Sequence, residues 1–429
     1  MPGFSLPALI CVALSQAPPF DRTDATAFDA AFQSAITELA FSFDNSTGVF
    51  GMPPQCSGSP PGFWNTANAL TAMALKDARR GDGRNTPWIR SVLARHLQPS
   101  KDLRPSQNVY NDDHLWWLFV ACQMTKLDAG DARWLEAARR GWDELAQCVT
   151  DECGGPTLRS LTWTRARGPA GGCVPPAANS GYKASIANSL FMLVSAALYD
   201  ITGETQYRDT AEAQWAWLSA SVLDNTTGLV HDGLSPNGAG MSSSNSSERH
   251  EANAVSGGMR QCVLHPTYWS YNQGVPIAAL VTLHRAIGKH TKSALAVNAW
   301  HAPSLYLTAA QQLASSSIAH FSDANGVVYE TACEAADSCG CDGVEFRGPF
   351  VRGLGMLYEV QPDPIVAAFL NDTLTSALLR GSNERWQFAL HWDGPYDVHN
   401  ATAATQMPIL DLFAAVYAVC FGSRGYAFA

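Results

Sequence analysis

Twelve segments of this 429-residue chain carry apolar side chains at the spacing of a helix, and the two-residue alternation of a half-buried strand is almost absent. They fall near 24–42, 64–79, 86–97, 112–127, 131–149, 182–202, 204–221, 271–288, 300–319, 346–360, 363–380 and 403–420. Some are visibly paired. Ala187 to Tyr199 is apolar almost all round, Thr202-Gly203-Glu204 turns the chain, and Tyr207 to Leu218 follows with Trp215 and Trp217 inside it. A similar pair at 112–127 and 131–149 is joined by Leu127-Asp128-Ala129-Gly130. A helix apolar on every side cannot face water, so each hairpin must bury one helix against the others. Hairpins recurring at roughly 50 to 70 residues meet that demand by closing into a double ring with the apolar helices inside. The expected fold is all-α, an (α/α)6 toroid of about twelve helices. No linker rich in Ser, Gly or charge divides the chain, so a single domain over residues 16–429 is expected, with Asn237 to Ser247 as an exposed loop.

Charge and composition narrow the function. With 28 Lys and Arg against 38 Asp and Glu, the formal charge is −10, and the basic face that nucleic acid requires is missing. Hydrophobic residues at 46% against charged residues at 15% exclude a disordered chain. Phe4 to Leu14 is apolar but too short to span a bilayer, and Ala13-Leu14-Ser15 offers small residues to a signal peptidase, so cleavage after Ser15 and secretion are expected, with no membrane span. Of 11 cysteines, Cys11 lies in that leader and ten remain, enough for five disulfides. Cys333, Cys339 and Cys341 have neither a CxxC pair nor a His at ligand spacing, which disfavours a metal site. Sequons at Asn45, Asn225, Asn245, Asn371 and Asn400 fit an exported glycoprotein. No P-loop, GxGxxG, HExxH or GxSxG motif is present, and no cofactor is expected.

The chemistry concentrates at the starts of the presumed inner helices. Tyr110-Asn111-Asp112-Asp113-His114-Leu115-Trp116-Trp117 sets two adjacent carboxylates before a strongly apolar helix. Helix capping explains one such acid. Two acids beside two Trp match the equipment of a glycosidase, in which one carboxyl protonates the leaving oxygen and the other attacks or activates water. Trp64, Asn65 and Asn68 offer an aromatic face and two amides at a second helix start, and Trp269 with Tyr271, Asn272 and Gln273 repeats the combination at a third. Asp232 after His231 adds a carboxylate, and Phe350 with Arg352 adds a ring and a guanidinium, for which a structural ion pair is the competing role. His114 orients a neighbour or caps the helix.

These motifs together resemble glycoside hydrolase family 76, the endo-α-1,6-mannanases. Asp112-Asp113 with Trp116-Trp117 is similar to its NDDxxWW signature. Cys153-Gly154-Gly155, Tyr182 to Asn188, Thr202-Gly203 with Trp215 to Leu218, Asp232-Gly233, Tyr271-Asn272-Gln273-Gly274 and Phe346 to Arg352 follow the family order across about 60 to 395. The resemblance implies retaining α-mannosidase chemistry without a metal, on an α-1,6-linked mannose polysaccharide or glycan. It makes Asp112 the nucleophile, Asp113 the acid/base and Asp232 a mannose contact, with Trp64, Asn65, Asn68, Asn111, Trp116, Asn188, Tyr271, Asn272, Gln273, Phe350 and Arg352 lining the sugar. His114 and His231 depart from the family's usual Gln and Tyr. Fungal members also include cell-wall transglycosidases acting on the mannose core of GPI anchors, usually with a hydrophobic C-terminal tail. Here only Gly422 to Ala429 follow the last apolar segment, so hydrolysis is the expected activity. A non-catalytic mannan-binding protein would keep the aromatics without needing both acids. Repulsion between the two acids is expected to raise one pKa while the helix N-terminus keeps the other charged.

Overall fold

The computed structural model describes residues 21–53, 62–97, 103, 109–155, 157–167, 173–174, 181–236, 262–291 and 303–422. The expected leader, the loop at 237–247 and the sequon at Asn245 lie outside them. The described residues form twelve α-helices: α1 (Ala25–Ala40), α2 (Phe63–Arg80), α3 (Thr86–His96), α4 (Asn111–Leu127), α5 (Arg133–Ala146), α6 (Ser185–Thr202), α7 (Thr205–Ser221), α8 (Tyr271–Thr291), α9 (Pro303–His320), α10 (Arg347–Val360), α11 (Pro364–Leu379) and α12 (Ala403–Phe421). All twelve segments expected from the sequence are helical.

The even-numbered helices pack in order, α2 on α4, α4 on α6, α6 on α8, α8 on α10, α10 on α12 and α12 back on α2, which closes an inner ring. The odd-numbered helices cover it, giving the (α/α)6 toroid. Side-chain pattern decides which helix goes where. Every residue of α6 from Ser185 to Tyr199 and of α12 from Ala404 to Val419 is buried, as a helix with neighbours on all sides requires. By length and composition alone these two helices could cross a membrane, but 83% and 89% of their apolar windows are buried inside the ring. Outer helix α5 buries Trp134, Ala137, Ala138, Gly141, Trp142 and Leu145, a single stripe at 3- and 4-residue steps. Gly141 is where α5 meets α4, since a Cβ there would sit 2.5 Å from Leu118 Cδ2. Inner helices α8 and α10 come closer still. A Cβ on Gly274 would lie 2.3 Å from the Phe350 Cα, and one on Gly353 would lie 2.2 Å from the Gly274 carbonyl oxygen, so the two backbones touch.

Four of the loops that lead from an outer helix to the next inner one share a turn that the sequence reading did not detect. Asp44, Asp224, Asp323 and Asn383 each accept a hydrogen bond from the amide two residues on, at 2.7 to 2.9 Å. Gly48, Gly228 and Gly326 then take the left-handed conformation, and Trp386 takes it in the fourth loop, with φ +64°. The fold also contains an unexpected antiparallel sheet. Leu229–Pro236 pairs with Cys262–Tyr268 (Leu234 opposite Leu264) on one side and with Lys183–Ala184 on the other. Tyr182, Lys183 and Ala184 are therefore not helical, because Lys183 and Ala184 are bonded into that sheet.

Disulfides join Cys148 to Cys173, Cys153 to Cys262 and Cys333 to Cys339, and Cys341 is also disulfide-bonded. Cys122 and Cys420 remain thiols, so the disulfides number fewer than the upper bound of five: Cys122 is sealed inside α4 of the inner ring. The sequon at Asn371 lies inside a helix. Its side chain is 6% exposed and donates to the Ala367 carbonyl within α11, so the folded chain offers no amide there for a glycan.

Candidate active site

Because inner and outer helices alternate, all six inner helices run the same way and their N-termini share one face of the ring. Asp112 and Asp113 occupy the first turn of α4 on that face. The helix starts there because Tyr110 is extended and bridged to Thr164, the Asn111 amide donates to the Trp163 carbonyl at 2.8 Å, and Asn111 Nδ2 donates to the Thr162 carbonyl at 2.6 Å. The same stretch delivers Trp163, whose Nε1 donates to Asp112 Oδ2 at 3.0 Å. Asp112 Oδ1 has no donor at hydrogen-bonding geometry among the described residues.

Burial pushes the Asp112 carboxyl from its ordinary 3.8 up to about 7; the Trp163 bond and the amides of the first helical turn oppose this, and the charge of Asp342 adds to it. The expected division, a raised acid beside a charged nucleophile, is not what this carboxyl shows: the raised one is Asp112, assigned as the nucleophile, and the leading cause is desolvation rather than repulsion from Asp113. From Trp163 the contacts run on across the cleft. Its ring meets Tyr110 at 4.8 Å and the edge of Tyr182 at 5.7 Å, Tyr182 Oη donates to Asp232 Oδ2 at 2.7 Å, and Asn272 Nδ2 donates to Asp232 Oδ1 at 3.2 Å. Burial raises the Asp232 carboxyl, while these two donors pull it down. On the far side Tyr271 stacks on Phe346 at 3.8 Å, and Trp64 lies 6.2 Å from both Trp116 and Phe346. Trp64 Nε1 donates to Asp342 Oδ1 at 3.0 Å. Asp112, Asp232, Tyr271 and Trp64 are thus joined by a chain of contacts around the inner-helix starts, with Asp113 next to Asp112 in the sequence, and none of the five is fully buried.

Other residues expected to line a sugar lie beneath the floor of the cleft. Asn188, fully buried, bonds both the amide and the carbonyl of Leu161; Gln273, equally buried, does the same for Val230. Asn111 is taken up with Thr162, Asn272 supports Asp232, and Asn65 donates to Glu345 at 2.7 Å. Asn68 donates to the Trp64 carbonyl, and Trp116 and Phe350 are sealed in the core. Arg352, 2% exposed, makes two 2.8 Å bonds to Asp411, so its structural ion pair prevails over sugar contact. These side chains shape the site by holding its backbone. His114 is likewise buried, against Arg165.

The sequence reading missed Trp163, Tyr182, Phe346, Asp342 and Glu345. Tyr182 and Phe346 lie within the family-like motifs, but Trp163 sits in a short segment without periodicity, and Asp342 follows cysteines whose spacing signals disulfides rather than a sugar site. Burial raises Glu345 well above the ordinary range, and raises Glu330, bonded by Ser270, to about 8. Among the described residues no cluster of three His, Cys, Asp or Glu is placed to hold a metal ion.

A closed ring of helix hairpins with a carboxylate pair and aromatic walls at the inner-helix starts defines a toroidal glycosidase architecture. The model of glycosyl hydrolase family 76 matches residues 29–418, and the chain belongs to that family. Its relatives include mannan endo-1,6-alpha-mannosidase DCW1 of Saccharomyces cerevisiae, 24% identical over 72% of this chain and 61% of the relative. Another, DFG5 of Candida albicans, is 25% identical over 69% and 59%. The chain spans about three fifths of the length of the curated relatives it matches. Among solved structures, the α-1,6-mannanase of Salegentibacter sp. HEL1_6 superposes with a TM-score of 0.69 at 19% identity, covering 91% of this chain and 99% of that one. That structure is an inactive variant with two consecutive aspartates changed to asparagine, in complex with α-1,6-mannotriose. Dfg5 of Chaetomium thermophilum, in complex with glucosamine, gives a TM-score of 0.71 at 17% identity, covering 93% and 92%.

Proposed function

We propose that the chain is a secreted, retaining glycoside hydrolase that cleaves α-1,6-mannosidic linkages in mannan, with residues 16–429 as one catalytic domain. The observation that carries this reading is the Asp112–Asp113 pair at the start of an inner helix, in a cleft walled by Trp64, Trp163, Tyr182 and Tyr271. Asp112, steadied by Trp163, attacks the anomeric carbon as Asp113 protonates the departing glycosidic oxygen, which leaves a mannosyl ester on Asp112. Asp113, now a carboxylate, takes a proton from water, whose oxygen displaces Asp112 and restores both acids. Asp232, held by Tyr182 and Asn272, accepts hydroxyl hydrogen bonds from the bound mannose, and Trp64 and Tyr271 flank it.

Several facts support the assignment. Relatives bear the name mannan endo-1,6-alpha-mannosidase, and a structural neighbour is inactive when two consecutive aspartates are replaced. The disulfides fit an oxidising compartment, in keeping with the leader-like residues 1–15. NMR of the anomer released first from α-1,6-mannan tests the mechanism: the α-anomer is expected, and the β-anomer first would refute it. Transfer of mannosyl units to a GPI-type mannoside acceptor, with no reducing ends released, would instead assign the transglycosidase activity, which shares the covalent intermediate. Binding of mannan with neither outcome would assign a lectin-like role.

A further inference from the structure

The dyad and Asp232 do not account for Asp342. It directly precedes the single 3₁₀ turn Gly343–Glu345 that leads into α10, and its carboxylate is exposed. Trp64 Nε1 holds Oδ1 at 3.0 Å, and Oδ2 has no hydrogen bond among the described residues. Trp64, its partner, lies 6.2 Å from Trp116, on the same helix as the dyad, and 6.2 Å from Phe346, and the charge of Asp342 bears on Asp112, Tyr110 and Tyr271, so it stands beside the dyad. The loop is braced, with Cys333–Cys339 closing the turn before it and Cys341, the preceding residue, also in a disulfide. Folding gains little from a negative charge here. Asp342 faces Asp112 and Glu345, both already raised by burial, and adds repulsion to each. A fixed, exposed carboxylate with one oxygen free, attached to the edge of an indole, has the parts of a sugar subsite: a flat apolar face and a hydroxyl acceptor.

We propose that Asp342, aimed by Trp64, is a specificity-determining residue that accepts hydroxyl hydrogen bonds from the mannose unit adjoining the one cleaved. The inference rests on the α-1,6-mannosidase reading and adds to it. Oδ2 takes one hydroxyl, or two neighbouring hydroxyls share the carboxylate. The negative charge also selects for unsubstituted rings, since a phosphate on that unit would face Asp342 and the ionised Asp112 together.

Isothermal titration of Asp112→Asn, which does not consume ligand, with α-1,6-mannotriose supplies the baseline. Adding Asp342→Asn keeps the size and removes the charge, at a position too exposed to threaten folding. The dissociation constant is expected to rise about tenfold, in line with loss of a charge-assisted hydrogen bond. Trp64→Phe in the same background keeps a ring, deletes the donor that aims Asp342, and is expected to move affinity the same way by a smaller factor. Affinity within twofold of the baseline in Asp342→Asn overturns the subsite while leaving the mannosidase reading intact. Absence of mannotriose binding in the baseline protein overturns that reading and the subsite with it.

Discussion

Asp112→Asn is expected to make the protein more stable at pH 8 while abolishing turnover. The carboxyl stands at about 7 in the folded chain against an ordinary 3.8, so between those values the folded state holds a proton that the unfolded state has lost. Folding stability therefore falls as pH rises through that window, and the cost is complete above pH 7. At about 1.4 kcal/mol per pH unit the rise is worth about 4 kcal/mol. Asp112 is only half-buried, and screening by water that reaches it reduces this to about 2 kcal/mol. Asparagine is neutral, nearly isosteric, and still accepts from Trp163 Nε1, so it removes most of the cost. With an unfolding entropy of about 2.1 cal/mol/K per residue, a gain of this size raises Tm by roughly 2 °C at pH 8. At pH 4 the wild-type acid is itself protonated and the advantage should vanish. Paired calorimetric scans from pH 4 to 8 isolate the effect, because acids remote from Asp112 titrate alike in both proteins. A Tm difference that does not change with pH, or a less stable variant at pH 8, refutes the reasoning.

If Asp112 is the nucleophile it must be ionised, so kcat/KM on α-1,6-mannan is expected to climb with pH through about 7 and to fall at higher pH, where Asp113 loses the proton it must donate. Trp163→Phe removes the donor to the carboxylate and should move that rise to higher pH, which a pH–rate profile reads directly. Arg352→Met leaves Asp411 buried without its partner and is expected to cost about 3–5 kcal/mol in chemical denaturation, whereas Arg352→Met with Asp411→Leu should recover most of that loss.

The helices were legible because an inner helix of a closed ring must be apolar on every side, and a run such as Ala187 to Tyr199 has no other soluble home. Their ends were less so. The start expected at residue 182 moves to Ser185 because Lys183 and Ala184 pair with Gly233 and Leu234, some fifty residues away, and no local pattern carries that information. The acids were visible for a similar reason, since two adjacent carboxylates before an apolar helix are unusual wherever they fall. The amides around them misled. Asn188 and Gln273 have the chemistry to bind hydroxyls, but the groups they bind are the backbones of Leu161 and Val230, and composition cannot tell a sugar from a loop. Trp163 and Asp342 join the site only through tertiary contacts.

The seam where Gly274 meets Gly353 sets the bore of the ring. A stack of helices with free ends could absorb a wider spacing by splaying at an edge, but a closed hoop has no edge. Even a methyl group at either glycine would lengthen the circumference and pull apart the Tyr271–Phe346 stack directly above. The cleft is therefore mounted on a frame of fixed gauge. Differences in the length or branching of glycan accepted by toroids of this kind must arise in the connections between helices, the loops and sheet that carry residues such as Trp163, Asp232 and Asp342, while the hoop beneath stays constant.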